Sequence, residues 1–346
     1  MVSPVLPRVA RIASTAELTL ADVDAVRLLL RGDSVIDWHR LNYADHAEVD
    51  RFLRLNEFDP ENDEEMARLE DVRSDAVEYL SRAFAMAIPD EVAADLPARD
   101  LFLVASSHGP HQKWACVVLK VMHIIHHING RGALLKLSVS DEIIFREIEL
   151  KVMQVVEQLR AAGAPLTEWE WSRKPRDSQI TKLLAKRSTI AANIYDKLRF
   201  RLIVPQHGDI IPMLATLARQ LIPFNYVVPG ESVNQLVDLH HVLEDRMDGT
   251  QAPSENPYNE FSGPEYRIIN FVADLPLRVE RLLSRAELLP ENTHVVFVLT
   301  EFQIADKATA LRNESGASSH EAYKARQNER VRMRLFREKD DPLPPD

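Results

Sequence analysis

From Thr15 to about Gly163 the apolar residues recur every three or four positions, the spacing of a helix face. The stretch TAELTLADVDAVRLLLRG predicts a helix that stops at Gly32, and Asp63 to Ala87 has the same period. HQKWACVVLKVMHIIHHING is apolar on more than one face and predicts the central helix of a bundle. SVSDEIIFREIELKVMQVVEQLRAAG opens on Ser and Asp as cap candidates, keeps a helical period for about seven turns and stops at Gly163. This half of the chain is expected to be all-α.

The texture then changes. TEWEWS alternates large apolar and polar residues as a strand does, SQITKLLAKRS reads as a short basic helix, LRFRLIVP as a strand, DIIPMLATLARQL as a helix and FNYVV as a strand. EYRIINFVADLP and THVVFVLTEFQI are the strongest strand patterns, with LRVERLLSRAELL between them as a helix or a long excursion. Residues 249–264, rich in Gly, Pro, Ser and Asn, read as a long flexible loop, and SSHEAYKARQNERVRMRLFREK as a closing basic helix. The acidic, proline-rich end, 339–346, is expected to be mobile.

Composition narrows the class. The 346 residues suffice for two cores, and 45% hydrophobic with 27% charged residues is a globular balance. No run approaches the ~18–20 apolar residues of a membrane span. The amino end lacks the apolar core of a secretory signal, and Cys116 is the only cysteine, so the expected location is the cytoplasm, with no membrane partner. A net charge of −11 argues against a general nucleic-acid coat protein.

Against that acidic background, Arg173 to Arg201 carries nine basic residues and two acids. Ser178 and Lys182 lie four apart on one helical face, with Lys174 and Arg176 on the turn before. Hydroxyl, ammonium and guanidinium groups at a helix start suit a polyphosphate, although a solvated basic helix has the same composition. Carboxylates are the other half of a phosphoryl-transfer site, since magnesium takes oxygen ligands. Asp196 stands at the entry to one strand and Glu301 near the end of another. Alternation puts Glu301 and Gln303 on one face and Phe302 on the other. Taken singly, each acid also fits an edge-strand surface.

The order of these segments, KPRDSQITK, YDKLRFRLIV, DIIPMLATLARQL, a long loop, LTEFQIAD and NESGASSHEAYK, resembles the synthetase domain of the RelA/SpoT alarmone synthetases. The K-x-x-x-S-x-x-x-K stretch of that family is matched by Lys174, Ser178 and Lys182. Its D-x-x-G-x-R strand is matched at Asp196 and Arg201, and its E-x-Q-I-R-T strand at Glu301, Gln303 and Ile304. The following A-E-x-G-x-A-x-H-x-x-Y-K segment is matched at Glu314, Gly316, His320, Tyr323 and Lys324, with Asn313 and Ser318 in place of its alanines. The resemblance covers Thr167 to Lys324.

Periodicity gives an N-terminal all-helical domain (1–165, a regulatory, dimerising or partner-binding module), and the resemblance implies that a nucleotidyltransferase-like mixed β-sheet flanked by helices (166–338) follows it, so the chain is expected to be α+β. It implies transfer of pyrophosphate from ATP to the 3′-hydroxyl of a guanosine nucleotide, the chemistry of the stringent response. Lys174, Ser178, Lys182 and Arg201 would then hold ATP phosphates, with Arg173 or Arg176 near the adenine. Asp196 and Glu301 would hold Mg2+, Glu301 would help deprotonate the attacking hydroxyl, and Tyr266 would stack on the acceptor base. Three departures stand out. Arg199 replaces the family glycine, Ala305 and Asp306 replace R-T, and the acceptor loop is reduced to NYVVPGES and GPEYRIIN, with Asn270 where a histidine is expected. The acceptor could therefore be another 3′-hydroxyl such as a tRNA end, or the chain a non-catalytic binding protein. The His-Asp hydrolase motif of the long family members is not found in the N-terminal half. His123, His126 and His127 share helical spacing, and His108 and His111 are near in sequence; core or interface histidines are the expectation there, a metal site the alternative.

Overall fold

The structure, a computed structural model, describes residues 11–137, 139–185, 197–238, 265–278, 282, 294–315 and 320–336. The predicted flexible loop at 249–264, nearly all of the excursion LRVERLLSRAELL, and the tail at 339–346 lie outside them. The helices in chain order are α1 (Leu20–Arg31), α2 (His46–Leu55), α3 (Asp63–Phe84), α4 (Leu101–Ser106), α5 (Gln112–Lys136), α6 (Asp141–Ala161), α7 (Arg176–Ala185), α8 (Ile210–Gln220), α9 (Lys307–Asn313) and α10 (His320–Leu335). The strands are β1 (Glu168–Arg173), β2 (Leu198–Val204), β3 (Val233–Asn234), β4 (Ile269–Arg278) and β5 (Val295–Asp306), forming one mixed sheet in the order β1-β2-β5-β4-β3. The architecture is α+β, with an N-terminal helical region and a five-stranded sheet flanked by helices. No helix among the described residues is long and apolar enough to cross a membrane.

The chain divides into two compact units that interleave in sequence: 1–164, 211–230 and 273–298 in the first, 165–210, 231–272 and 299–346 in the second. In the first, the helix ends are closed by their own residues. The Thr19 hydroxyl accepts from Asp22 N, the Asp22 carboxylate accepts from Thr19 N at 2.7 Å, and Gly32, at φ 64°, donates to Leu28 O. Asp22 is buried, so it needs a cation as well as a cap. Arg219 of α8 supplies it, with Nε 2.6 Å from Oδ1. A second buried ionic group joins Arg278 to Glu65 at 2.5 Å and Glu57 at 3.3 Å, with Lys151 2.6 Å from Glu57.

Helix α5 packs on α3 and α4. Its composition led us to expect burial on more than one face, yet Ile124, Ile128 and Leu135 are exposed and the buried residues, such as Ala115, Val118, Leu119 and Met122, form one stripe. Gly130 is required by close approach: a Cβ there would meet the Phe297 ring at 2.5 Å and Val295 O at 2.8 Å. FNYVV is not a strand. Phe224–Tyr226 is a 3-10 turn after Pro223, and only Val227 makes an isolated bridge, to Ala273. Phe224 packs against Trp38 and Phe52 while Tyr226 enters the α5 histidines, so aromatic packing in two directions overrides the strand pattern.

Those histidines, His123, His126 and His127, surround Tyr226 and Phe297, with ring centroids between 4.4 and 6.5 Å apart. His127 Nε2 lies 2.8 Å from Asp274 Oδ2. Burial first, and then the neighbouring imidazoles, lower His123 to about 3 and His126 to about 4, so both are neutral near pH 7. They pack among aromatic rings, and His126 Nε2 has no hydrogen-bond partner among the described residues. In the unfolded chain both protonate near 6.5, so the unfolded state binds more protons between about 4 and 6.5 and stability falls as pH drops through that window. Urea unfolding should lose about 1.4 kcal/mol per pH unit for each histidine below 6.5. The slope should flatten in His123→Gln/His126→Gln; an unchanged slope would show that these imidazoles are not buried neutral.

In the second unit β1 pairs antiparallel with β2, and β2 runs parallel to β5, with Arg199 opposite Glu301, Phe200 opposite Phe302 and Arg201 opposite Gln303. The pleat sorts residues by chemistry. One face carries the stacked rings of Phe200, Phe302 and Phe271, at centroid distances of 5.7 and 5.6 Å. The other carries Arg199, Arg201, Glu301 and Gln303, and is closed further along by the apolar cluster Ile203, Ala305 and Ala310. Asp306, which departs from the family pattern, is the N-cap of α9, accepting from Thr309 N at 2.9 Å and Thr309 Oγ1 at 2.8 Å. Burial pushes its carboxyl up, but the bonds from Thr309 and His207 outweigh that and hold it below the usual range.

Candidate active site

Glu301 is the centre of the polar face. Its carboxylate is buried on a central strand, where an unpaired charge costs several kcal/mol. Two residues satisfy it. Arg199 Nε donates to Oε2 at 2.7 Å and Gln303 Nε2 to Oε1 at 3.1 Å. Arg199 stands where the resembled sequence pattern has glycine, and Ala305 where it has arginine, so the guanidinium beside Glu301 comes from β2 and not from β5.

Arg201, two residues further, reaches Glu170 of β1 and Glu314 after α9, both at 3.3 Å from Nη1. Both acids are largely exposed, so these pairs are weak and exchangeable. Tyr266 lies in the field of the same groups. Burial chiefly raises its hydroxyl above the ordinary value, the Arg201 and Arg199 charges oppose the rise and Glu301 adds to it. The backbone beside it is fixed by Asn313, whose side chain accepts from Arg267 N at 3.1 Å and donates to Arg267 O at 2.7 Å. Asn270 precedes Phe271, whose ring is on the aromatic face, so it falls on the face of Glu301; its Oδ1 is buried and has no partner among the described residues.

The basic helix α7 is tied to the strand entry by its first turn. Lys174 N donates to Lys197 O at 2.9 Å, and Gln179 Nε2 to Lys174 O at 3.0 Å. Helix α10 packs on α7, and Lys324 Nζ donates to Ser178 Oγ at 3.2 Å. Two motif segments 146 positions apart thus meet at one hydroxyl. Lys182 is half-buried on α7, and Arg176 is exposed at its start.

The predicted residues are not all brought together. Glu301, Gln303, Arg201 and Tyr266 converge, and Ser178 joins Lys324. Arg173 does not join them: it ends β1 on the face of Trp171, opposite the face of Arg201, with its guanidinium 5.9 Å over the Trp171 ring. Asp196 lies outside the described residues. Sequence reasoning missed Glu170 and Asn313 and took Arg199 only as a departure. The alternation in TEWEWS gave a signal for Glu170, since it puts all its acids on one face.

No protein-family model matches the chain, and no curated protein does. Among solved structures it is similar to small alarmone synthetase 1 from Bacillus subtilis (15% identity over 56% of this chain and 85% of that one, TM-score 0.31). It is also similar to a GTP pyrophosphokinase family protein from Streptococcus pneumoniae (15%, 56% and 82%, TM-score 0.30) and to small alarmone synthetase 2 from Bacillus subtilis (15%, 57% and 91%, TM-score 0.32).

Removing Arg199 leaves Glu301 buried with one partner fewer. Arg199→Ala should lower the unfolding free energy by about 1–3 kcal/mol, toward the low end because the arginine is a third exposed, and Glu301→Gln in that background should recover part of the loss. Urea midpoints of Arg199→Ala, Glu301→Gln and the double variant measure this. Additive losses would mean that the two side chains are not coupled.

Proposed function

We propose that the chain is a nucleotide pyrophosphokinase that transfers the β,γ-pyrophosphate of ATP to the 3′-hydroxyl of a guanosine nucleotide. The observation that carries this reading is the convergence on one sheet face of Glu301, Gln303, Arg199 and Arg201, with Tyr266 in their field. The meeting of Ser178 with Lys324 supports it. A buried carboxylate among cations with weakly held partners is suited to a polyanion, because an incoming phosphate can displace exposed Glu170 and Glu314 from Arg201 at little cost.

In this reading Arg201, Lys174, Ser178 and Lys182 bind the triphosphate, with Lys324 orienting the Ser178 hydroxyl. Arg176 is the candidate for the adenine side. Tyr266 stacks on the acceptor base, and Asn270 offers its unpartnered carbonyl to a base or sugar donor. Glu301 takes the proton of the 3′-hydroxyl as that oxygen bonds to the β-phosphorus; the bond to the α-phosphate oxygen breaks and AMP leaves. Most of the rate then comes from positioning and charge neutralisation.

The residues fit a magnesium ion. Each Glu301 oxygen accepts one hydrogen bond and keeps a further lone pair for a hard cation, and Asp196 would be its companion ligand. When bound, such an ion neutralises charge on the donor phosphates. Arg199 beside the same carboxylate works against it, so magnesium binding is expected to be weaker than at a carboxylate pair without an arginine.

The test is incubation of the purified protein with γ-labelled ATP, magnesium and, in separate reactions, GDP, GTP and bulk tRNA. Label on a guanosine nucleotide supports the proposal, label on RNA moves the acceptor to a tRNA end, and no label with any acceptor refutes it. Glu301→Gln and Asp196→Asn should each reduce transfer at least a hundredfold by the loss of a metal-binding charge. Wild-type rates in either variant would contradict the assignment.

A further inference from the structure

Tyr266, the ring assigned to the acceptor base, is half-buried and sits just ahead of β4, outside the strand ladder. Side chains hold its backbone instead. The peptide unit that joins Tyr266 to Arg267 is bonded at both of its polar atoms: Arg267 N donates to Asn313 Oδ1 at 3.1 Å, and the Tyr266 carbonyl accepts from Arg267 Nη1 at 2.9 Å. Asn313 Nδ2 also donates to Arg267 O at 2.7 Å.

An asparagine amide carries a donor and an acceptor side by side, so it can meet the N–H and C=O of one residue as a neighbouring strand does. Gln235 N donates to Ile268 O at 3.1 Å. Neighbouring residues of a strand point their backbone polar groups to opposite sides, so Arg267 turns the other way, toward Asn313.

Asn313 is itself firmly placed. It is 4% exposed and closes α9, a helix capped at its start by Asp306 and packed through Ala310 on Ile203 and Ala305. The next residue, Glu314, pairs with Arg201 at 3.3 Å, and its N donates to Ala310 O at 3.2 Å. The end of α9 therefore serves two sides of the face. Asn313 holds the backbone of the aromatic, and Glu314 meets the arginine assigned to phosphate.

We propose that Asn313 is a positioning residue for the acceptor: by fixing the peptide after Tyr266 it sets the direction of that ring, and with it the affinity for the acceptor nucleotide but not for ATP. The proposal rests on the reading that Tyr266 stacks on the acceptor base. A ring already held in place loses less freedom when a base stacks on it, which is how a residue that touches no substrate strengthens binding.

Titration calorimetry of the full chain with GDP and, separately, with a non-hydrolysable ATP analogue and magnesium tests it, on the wild type, Asn313→Ala, Tyr266→Ala and the double variant. Asn313→Ala should weaken GDP about fivefold and leave the ATP analogue within about twofold, which also shows that the sheet face is intact. The double variant should bind GDP no more weakly than Tyr266→Ala, since the brace has no effect once the ring is gone. In the transfer assay Asn313→Ala should raise KM for the acceptor and leave KM for ATP unchanged. Hydrogen exchange of peptides across 265–272 needs no variant: the Arg267 amide should be protected in the free wild-type protein. GDP bound with unaltered affinity in Asn313→Ala, equal weakening of both nucleotides, additive losses in the double variant, or an unprotected Arg267 amide would each overturn the role of Asn313 and leave the transfer reaction standing. Unaltered GDP affinity in Tyr266→Ala, or no GDP binding by the wild type, would overturn the acceptor assignment and this role with it.

Discussion

The pairing of β2 with β5, which sets Arg199 opposite Glu301, is the constraint from which the second unit follows. In a parallel ladder the register fixes both faces together, so one choice delivers the three stacked phenylalanines to one side and the arginines, acid and glutamine to the other. A slip by one residue would bury Arg199 and Arg201 against aromatic rings and bring Phe200 to the polar face. The ion pair therefore does two things. It satisfies a buried carboxylate, and it penalises a one-residue slip.

That pairing gives the departure from the family pattern a physical reading. Where the resembled pattern has glycine, Arg199 places a guanidinium beside Glu301 and carries positive charge to its carboxylate. At the same time β5 lacks the arginine expected after E-x-Q-I, and Ala305 there packs with Ile203 and Ala310. The cationic charge on this face thus comes from Arg199 and Arg201 of β2. Asp306 is likewise explained by a local duty, the capping of α9, whose last residue, Asn313, holds the backbone next to Tyr266.

Much of this was legible in the sequence where one local rule dominated. Gly32 and Ser140 marked helix boundaries because caps are short-range, and LRFRLIV and VVFVLTEFQI read as strands because alternation and β-branched residues agree. FNYVV failed because four large apolar residues and an asparagine after a proline suit a strand and a packed turn equally well, and only the Trp38, Phe52 and histidine neighbours decide between them. In the site, Glu301 and Arg201 could be picked out as polar groups inside apolar runs. The partnership of Arg199 could not, because register between strands about a hundred residues apart is not encoded locally. The contribution of Asn313 was hidden for the same reason, and the alternation in TEWEWS gave the face of Glu170 but not its partner.

The central claim is that the polar face of the sheet receives a nucleoside triphosphate. A crystal structure of the protein soaked with magnesium and a non-hydrolysable ATP analogue addresses it most directly. The account predicts phosphate oxygens within hydrogen-bond distance of Arg201, Lys182 and the Ser178 hydroxyl, with Glu170 and Glu314 released from Arg201. A nucleotide bound elsewhere, or a face left unchanged at saturating analogue with Arg201 still between its two acids, would contradict it.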